Sequence, residues 1–188
     1  DTLNGFTGND TLIGGLGDDT YTFSVPTAGA EADVVTELAN QGTDTLNFAA
    51  LAVGVTLNIN NNAVQNVHTN RTLKLNSFST FENVIGGSGS DVLTGNALAN
   101  TLTGNGGADT FNGFTGNDTL IGGLGDDTYT FSVPTAGLEA DVVTELTGQG
   151  TDTLNFAALT VGVTLNINNN AVQNVHTNRT LKLNSFST

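Results

Sequence analysis

Residues 86–130 decide the fold: written in nines they read GGSGSDVLT, GNALANTLT, GNGGADTFN, GFTGNDTLI and GGLGDDTYT. Every unit opens on glycine, and glycine returns at the fourth place in all but the second unit. Asp stands sixth, with Asn100 the exception, and an apolar residue stands eighth: Leu93, Leu102, Phe111, Leu120 and Tyr129. A short period repeated in tandem is the signature of a solenoid, in which each unit stacks on its neighbours. Glycines let the first six residues turn tightly and aim carbonyl oxygens inward. The last three have the β-branched and aromatic content of a very short strand, whose eighth residue enters a thin core. Two units then make one coil with a turn on each side, and units n and n+2 stack on the same side at the strand spacing, about 4.8 Å.

That stacking predicts Asp91 beside Asp109, Asn100 beside Asp118, and Asp109 beside Asp127. Two carboxylates at this distance repel by about 1 kcal/mol in water and about 3 kcal/mol at an effective dielectric of 20. One buried side chain per nine residues is little to set against the entropy of fixing nine backbones. Something must also neutralise the turns. A hard dication with all-oxygen ligands does this, and carboxylates with turn carbonyls are the ligands Ca²⁺ takes; Mg²⁺ demands strict octahedral geometry and keeps its waters.

GGLGDDTYT and GGSGSDVLT resemble the nonapeptide of the repeats-in-toxin (RTX), haemolysin-type calcium-binding proteins. The likeness covers 86–130 and the N-terminal stretch from Asp1 through GFTGNDTLI and GGLGDDTYT. It implies an all-β chain, a right-handed parallel β-roll or β-solenoid with Ca²⁺ held between successive turns. The implied ligands are Asp10, Asp19, Asp91, Asp109, Asp118 and Asp127, with Asn100 at the departing turn. Gly15, Gly17, Gly87, Gly89, Gly106, Gly116, Gly123 and Gly125 supply turn carbonyls. The resemblance also implies export by a type I system, with folding driven by extracellular calcium.

Composition bounds the partners. The net charge is −14, and Arg71, Lys74, Arg179 and Lys182 are the only Lys and Arg residues. That disfavours nucleic acid and anionic membrane surfaces and suits cations. There is no cysteine, hence no disulfide or thiolate metal site. No stretch approaches 18 apolar residues and no signal peptide is recognisable. The chain has no methionine and Asp1 occupies the sixth place of a truncated nonapeptide, which reads as a fragment of something longer.

A longer repeat overlies the short one. Residues 1–80 recur as 109–188, differing only at positions 3, 30, 39, 40 and 52. The offset of 108 residues is twelve nines, which at eighteen residues per coil predicts six coils per unit. Residues 23–85 lose the glycine code but keep β character. DVVTEL (33–38), TDTLNF (43–48), GVTLNI (54–59), RTLKL (71–75) and FENVI (81–85) read as strands, and 60–62 and 76–77 as turns. Phe48, Leu57, Leu75 and Val84 fall in phase with the eighth-position ladder; Asn66 does not. The solenoid is expected to continue here without a calcium code, with a small inserted sandwich as the alternative and a bend at Pro26. The expected blocks are 1–22 and 86–130 with the calcium code, 23–85 without it, and 131–188 repeating 23–80.

Glu31, Asp33, Glu37 and Asp44 lie just beyond a calcium block. They read as solvated strand-edge acids, or as the completion of an end site with Asp18 and Asp19. Arg71 and Lys74 read as surface charges or as contacts between chains. His68 has no second histidine in its unit, which argues against a transition-metal site, and no nucleophile or orienting acid is placed beside it by spacing. NDT (9–11) and NRT (70–72) fit the glycosylation pattern, common by chance in so Asn- and Thr-rich a chain. No phosphate loop or HExxH helix occurs.

The sequence reading is a calcium-binding structural segment of a large secreted bacterial surface protein, not an enzyme. A self-assembling filament or surface layer is the alternative, since near-identical units can stack end to end. An ice-binding solenoid, hinted at by the TGND turn at 7–10, and the tail of an RTX enzyme stand behind it.

Overall fold

A computed structural model describes residues 1–25, 29–38, 42–77, 79–133, 137–145 and 149–184. Among them there are strands and turns and no helix. The strands are β1 (Thr2–Leu3), β2 (Thr11–Ile13), β3 (Thr20–Thr22), β4 (Glu31–Thr36), β5 (Thr45–Asn47), β6 (Thr56–Asn58), β7 (Val64–His68), β8 (Arg71–Leu75) and β9 (Asn83–Ile85). There follow β10 (Val92–Thr94), β11 (Thr101–Gly106), β12 (Thr110–Asn112), β13 (Thr119–Leu124), β14 (Thr128–Thr130), β15 (Glu139–Thr144), β16 (Thr153–Asn155), β17 (Gln173–His176) and β18 (Arg179–Asn184).

In the nonapeptide blocks the chain crosses between two faces at every unit. β1-β3-β5-β9-β11-β13-β15-β18-β17 form a nine-stranded sheet; β16-β14-β12-β10-β6 and β2-β4-β8-β7 cover the opposite side. Neighbours pair in parallel at an offset of 18 residues: Val84 with Leu102, Leu102 with Leu120, Leu93 with Phe111, Phe111 with Tyr129, Leu3 with Tyr21. These residues are the eighth of each unit, and from Val84 to Tyr129 they are at most 1% exposed. This is the parallel β-roll that the period predicts, and its core is one side chain wide.

The middle segment stays in the same sheets. β4 pairs with β2, and β5 bridges β3 and β9, so the roll runs on through residues that lack the glycine code. The strict phase of nine is lost there, because longer connections separate Tyr21, Val35, Leu46 and Leu57, the successive core rungs. Leu46, not Phe48, pairs with Tyr21 and Val84. Phe48 is buried off the rung, its ring stacked 4.6 Å from Phe23. The bend expected at Pro26 lies outside the described residues.

An antiparallel hairpin, β7–β8, not foreseen from the period, is inserted on the second face. β8 docks on β4, while β6 pairs forward with β10. Gln65 ties the hairpin to β6: its amide donates to the Asn58 carbonyl at 2.9 Å, and its Oε1 accepts the Asn58 N–H at the same distance. One crossing therefore consumes β6, β7 and β8 together. From β1 to its counterpart β12 the chain makes nine crossings, four and a half coils rather than six. The strands of the second copy consequently lie on the opposite faces: β1 is in the nine-stranded sheet and β12 in the five-stranded one.

Candidate metal centre

Each nonapeptide turn folds its sixth residue back over its first. The Asp91 carboxylate accepts the Gly87 N–H at 2.9 Å. At Gly86, Gly104, Gly113 and Gly122 a Cβ would fall on Oδ2 of Asp91, Asp109, Asp118 and Asp127 respectively. The first glycine is thus required to seat the acid. The ligand set expected from sequence omitted these first-place glycines, although their recurrence in every unit was the visible signal. Among the expected turn glycines, Gly15, Gly17, Gly116, Gly123 and Gly125 hold left-handed φ of 97–129°. Gly87 and Gly89 do not; they lie against the backbone of Leu51, Val53 and Gly54 in the neighbouring coil. Gly106 is in strand β11, and the turn position beside it belongs to Gly107, at φ 108°.

The sixth-place acids form two ladders. On one side the Val55 N–H donates to Asp91 Oδ1 at 2.7 Å, Asp91 N–H to Asp109 at 2.7 Å, Asp109 N–H to Asp127 at 2.8 Å, and Asp127 N–H to Asp152 at 3.0 Å. On the other, Asn100 N–H donates to Asp118 at 2.9 Å and Asp118 N–H to Asp141 at 3.1 Å. The first copy repeats both arrangements, Asp19 to Asp44 at 2.9 Å and Asp10 to Asp33 at 3.1 Å. All three stacked pairs expected from the period are therefore in register.

These carboxylates are buried, Asp91, Asp109, Asp118 and Asp127 at 0–2% exposure. Burial pushes Asp91 up to about 6, Asp109 and Asp118 to about 7 and Asp127 to about 6, with neighbouring acids adding to the rise at the last three. Oδ2 of Asp109 and of Asp127 has no hydrogen-bond partner. A buried anion in this state wants a cation. Ca²⁺ fits: it takes carboxylate and carbonyl oxygens, and the ladder supplies both. Asn100 behaves differently. Its Oδ1 accepts the Asn96 N–H at 2.8 Å, and its amide donates to the carbonyls of Phe81 and Glu82 at 3.3 and 3.2 Å. That turn is closed by hydrogen bonds.

The acids beyond the code are not solvated. Glu31, Asp33, Glu37 and Asp44 are 1–4% exposed, and so is Arg71, which the sequence reading had placed at the surface. Arg71 pairs with both Glu31 and Asp33, donates to the Ser24 carbonyl at 3.0 Å, and lies 5.3 Å from the Phe23 ring centroid. Arg179 repeats this with Glu139, Asp141, Ser132 and Phe131. One ladder therefore ends on a resident guanidinium. The other carries groups of acids without an Arg or Lys: Asp19, Glu37 and Asp44, where the Asp1 ammonium lies 2.6 Å from Asp19 Oδ1, and in the second copy Asp127, Glu145 and Asp152, each group offering three carboxylate oxygens within 4.8 Å of one another. At that spacing each pair of charges repels by about 3 kcal/mol at an effective dielectric of 20. Burial and the acids Asp152 and Asp127 raise Glu145 to about 7.

A parallel roll whose turns carry stacked, buried carboxylates defines a class: calcium-binding β-rolls. Residues 1–21, 79–97 and 94–129 match the RTX calcium-binding nonapeptide repeat (4 copies). Over those segments the chain is built of this family's repeats, which bind Ca²⁺. No curated protein matches the chain.

Proposed function

We propose that this chain is a calcium-folded structural segment of a large secreted bacterial surface protein, exported unfolded and ordered by extracellular calcium. The observation that carries the reading is the pair of acid ladders, with buried carboxylates in register and oxygens left unpartnered at Asp109 and Asp127. Calcium that binds the roll and not the extended chain turns binding free energy into folding free energy. Asp10, Asp19, Asp91, Asp109, Asp118 and Asp127 are the proposed acid ligands, with turn carbonyls completing each shell. Individual sites in extracellular modules bind at about 10⁻⁴–10⁻³ M, so the segment switches through their number. A net charge of −14 keeps nucleic acid and anionic lipid away. No helix among the described residues is long and apolar enough to cross a membrane.

The reading assigns no catalysis to the chain. His68 and His176 serve turns, their Nδ1 atoms accepting the N–H groups of Asn70 and Asn178. Far-ultraviolet circular dichroism during a calcium titration, with magnesium as control, tests the proposal. A cooperative gain of β signal with calcium alone is expected. An identical β signal and melting temperature in chelator and in calcium would overturn it.

End-to-end stacking of chains is the second reading. It is favoured by the near-identity of residues 1–80 and 109–188, which lets like coils stack on like. Calcium-dependent growth of sedimentation coefficient with concentration is its test, and a monomer at high concentration would end it.

A further inference from the structure

We infer that Asp127, Glu145 and Asp152, and their counterparts Asp19, Glu37 and Asp44, each form a calcium site of a different construction from the nonapeptide turns. The inference takes the identity of the ion from the function proposed above and adds a site outside the repeat code. Two of its three ligands, Glu145 and Asp152, come from residues that carry no nonapeptide.

Three observations converge on it. First, the acids are brought together from separate strands and turns, with one oxygen of each within 4.8 Å of the others. Second, Asp127 is 0% and Glu145 3% exposed, yet Asp127 Oδ2 and Glu145 Oε2 have no hydrogen-bond partner. The two carboxylates converge: a Cβ built on Gly122 would strike Asp127 Oδ2, Glu145 Oε1 and the Tyr129 hydroxyl at once. Gly14 stands in the same relation to Asp19, Glu37 and Tyr21. Third, the sister ladder shows what its end requires. There Asp141 and Glu139 meet the guanidinium of Arg179, whereas no Lys or Arg is paired with Asp127, Glu145 or Asp152 among the described residues. One ladder carries its cation as an arginine; at Asp127, Glu145 and Asp152 the other must recruit one.

The chemistry selects the ion. Three carboxylates and no nitrogen or sulfur ligand suit a hard cation, and acids arriving from loops of different length suit the variable geometry of Ca²⁺ rather than the strict octahedron of Mg²⁺. The tyrosine acts as a positioning residue. Tyr129 donates its hydroxyl proton to Glu145 Oε1, which fixes the carboxylate and leaves Oε2 for the metal; Tyr21 does the same for Glu37, whose Oε2 also accepts the Leu38 N–H at 3.3 Å.

The tyrosines also supply the test. The chain has two tyrosines and no tryptophan, and both tyrosines lie at these sites. Terbium, an oxygen-seeking ion of similar size to calcium, emits when a nearby excited tyrosine transfers energy to it. Titrating the full chain with terbium under tyrosine excitation should give emission that calcium displaces. Glu37→Gln with Glu145→Gln, which keeps the acceptor for the tyrosine, should abolish most of that emission and lower the calorimetric calcium count by one ion per copy. Asp91→Asn should lower the count while leaving the emission. Should the first pair not fold in calcium, Asp44→Asn with Asp152→Asn gives the same reading from the other ligand. Emission and count unchanged in a folded double variant would overturn the inference. Absence of any calcium binding by the unaltered chain would instead overturn the function proposed above.

Discussion

Replacing Asp109 by Asn should act with opposite sign in calcium and in chelator. The carboxylate is 1% exposed and burial raises it from 3.8 to about 7. At pH 8 it is ionised in both folded and unfolded chains, so without a cation its burial costs about 4 kcal/mol relative to the unfolded state. Asn removes the charge and keeps the shape. It already occupies the equivalent place at Asn100, where the amide finds carbonyl acceptors at Phe81 and Glu82. Allowing for burial of the new amide, Asp109→Asn should stabilise the calcium-free roll by about 2–4 kcal/mol. For a chain of 188 residues that is a rise of roughly 5–10 °C in melting midpoint. In calcium the same variant loses a ligand shared by the pairs with Asp91 and Asp127, so the calcium midpoint should move several-fold upward. Melts followed by circular dichroism at pH 8, with and without chelator, read both effects. A variant less stable in both conditions would refute the reasoning, since the protein itself would then be stabilising the Asp109 anion.

Acid should substitute in part for calcium. Asp91, Asp109, Asp118, Asp127 and Glu145 bind protons more tightly in the calcium-free fold than when unfolded. Chelated stability should therefore fall as pH rises from about 4 to 7, while calcium-loaded stability rises over the same window; melts at pH 5 and 8 check the crossing. Gly104→Ala places a methyl on Asp109 Oδ2 and 2.8 Å from the Gly122 carbonyl, and should cost about 1–3 kcal/mol in calcium by urea titration. Arg71→Met leaves Glu31 and Asp33 buried without a counter-charge and should cost about 3–5 kcal/mol, with no rescue by added calcium, again by urea titration. Phe114 holds φ at 75° while partly exposed, so Phe114→Gly should raise the melting midpoint, a gain of about 1 kcal/mol.

The nonapeptide blocks were legible because their spacing is local. One glycine turn and one core residue per nine leave a single way to stack, and the pairs Asp91–Asp109, Asn100–Asp118 and Asp109–Asp127 follow from counting. Residues 23–80 were legible as strands but not as rungs. Leu46 and Phe48 are both apolar and two apart, and the choice between them depends on loop length, which a fixed period cannot supply. The burial of Arg71 was hidden for a related reason. Its partners Glu31 and Asp33 lie about forty residues upstream and meet it only because β8 turns back onto β4. Glu37 and Asp44 likewise look like edge acids until the coil closes around Gly14.

The odd number of crossings in each 108-residue unit has an architectural outcome. Any further copy added in register begins on the face opposite to its predecessor, so the true translational period of such a rod is two units. Each hairpin insertion widens one side, β7–β8 beneath the first copy and β17–β18 within the nine-stranded sheet of the second. Successive hairpins thus lie on opposite faces. Anything docking on one face of such an array meets an identical surface only at every second unit.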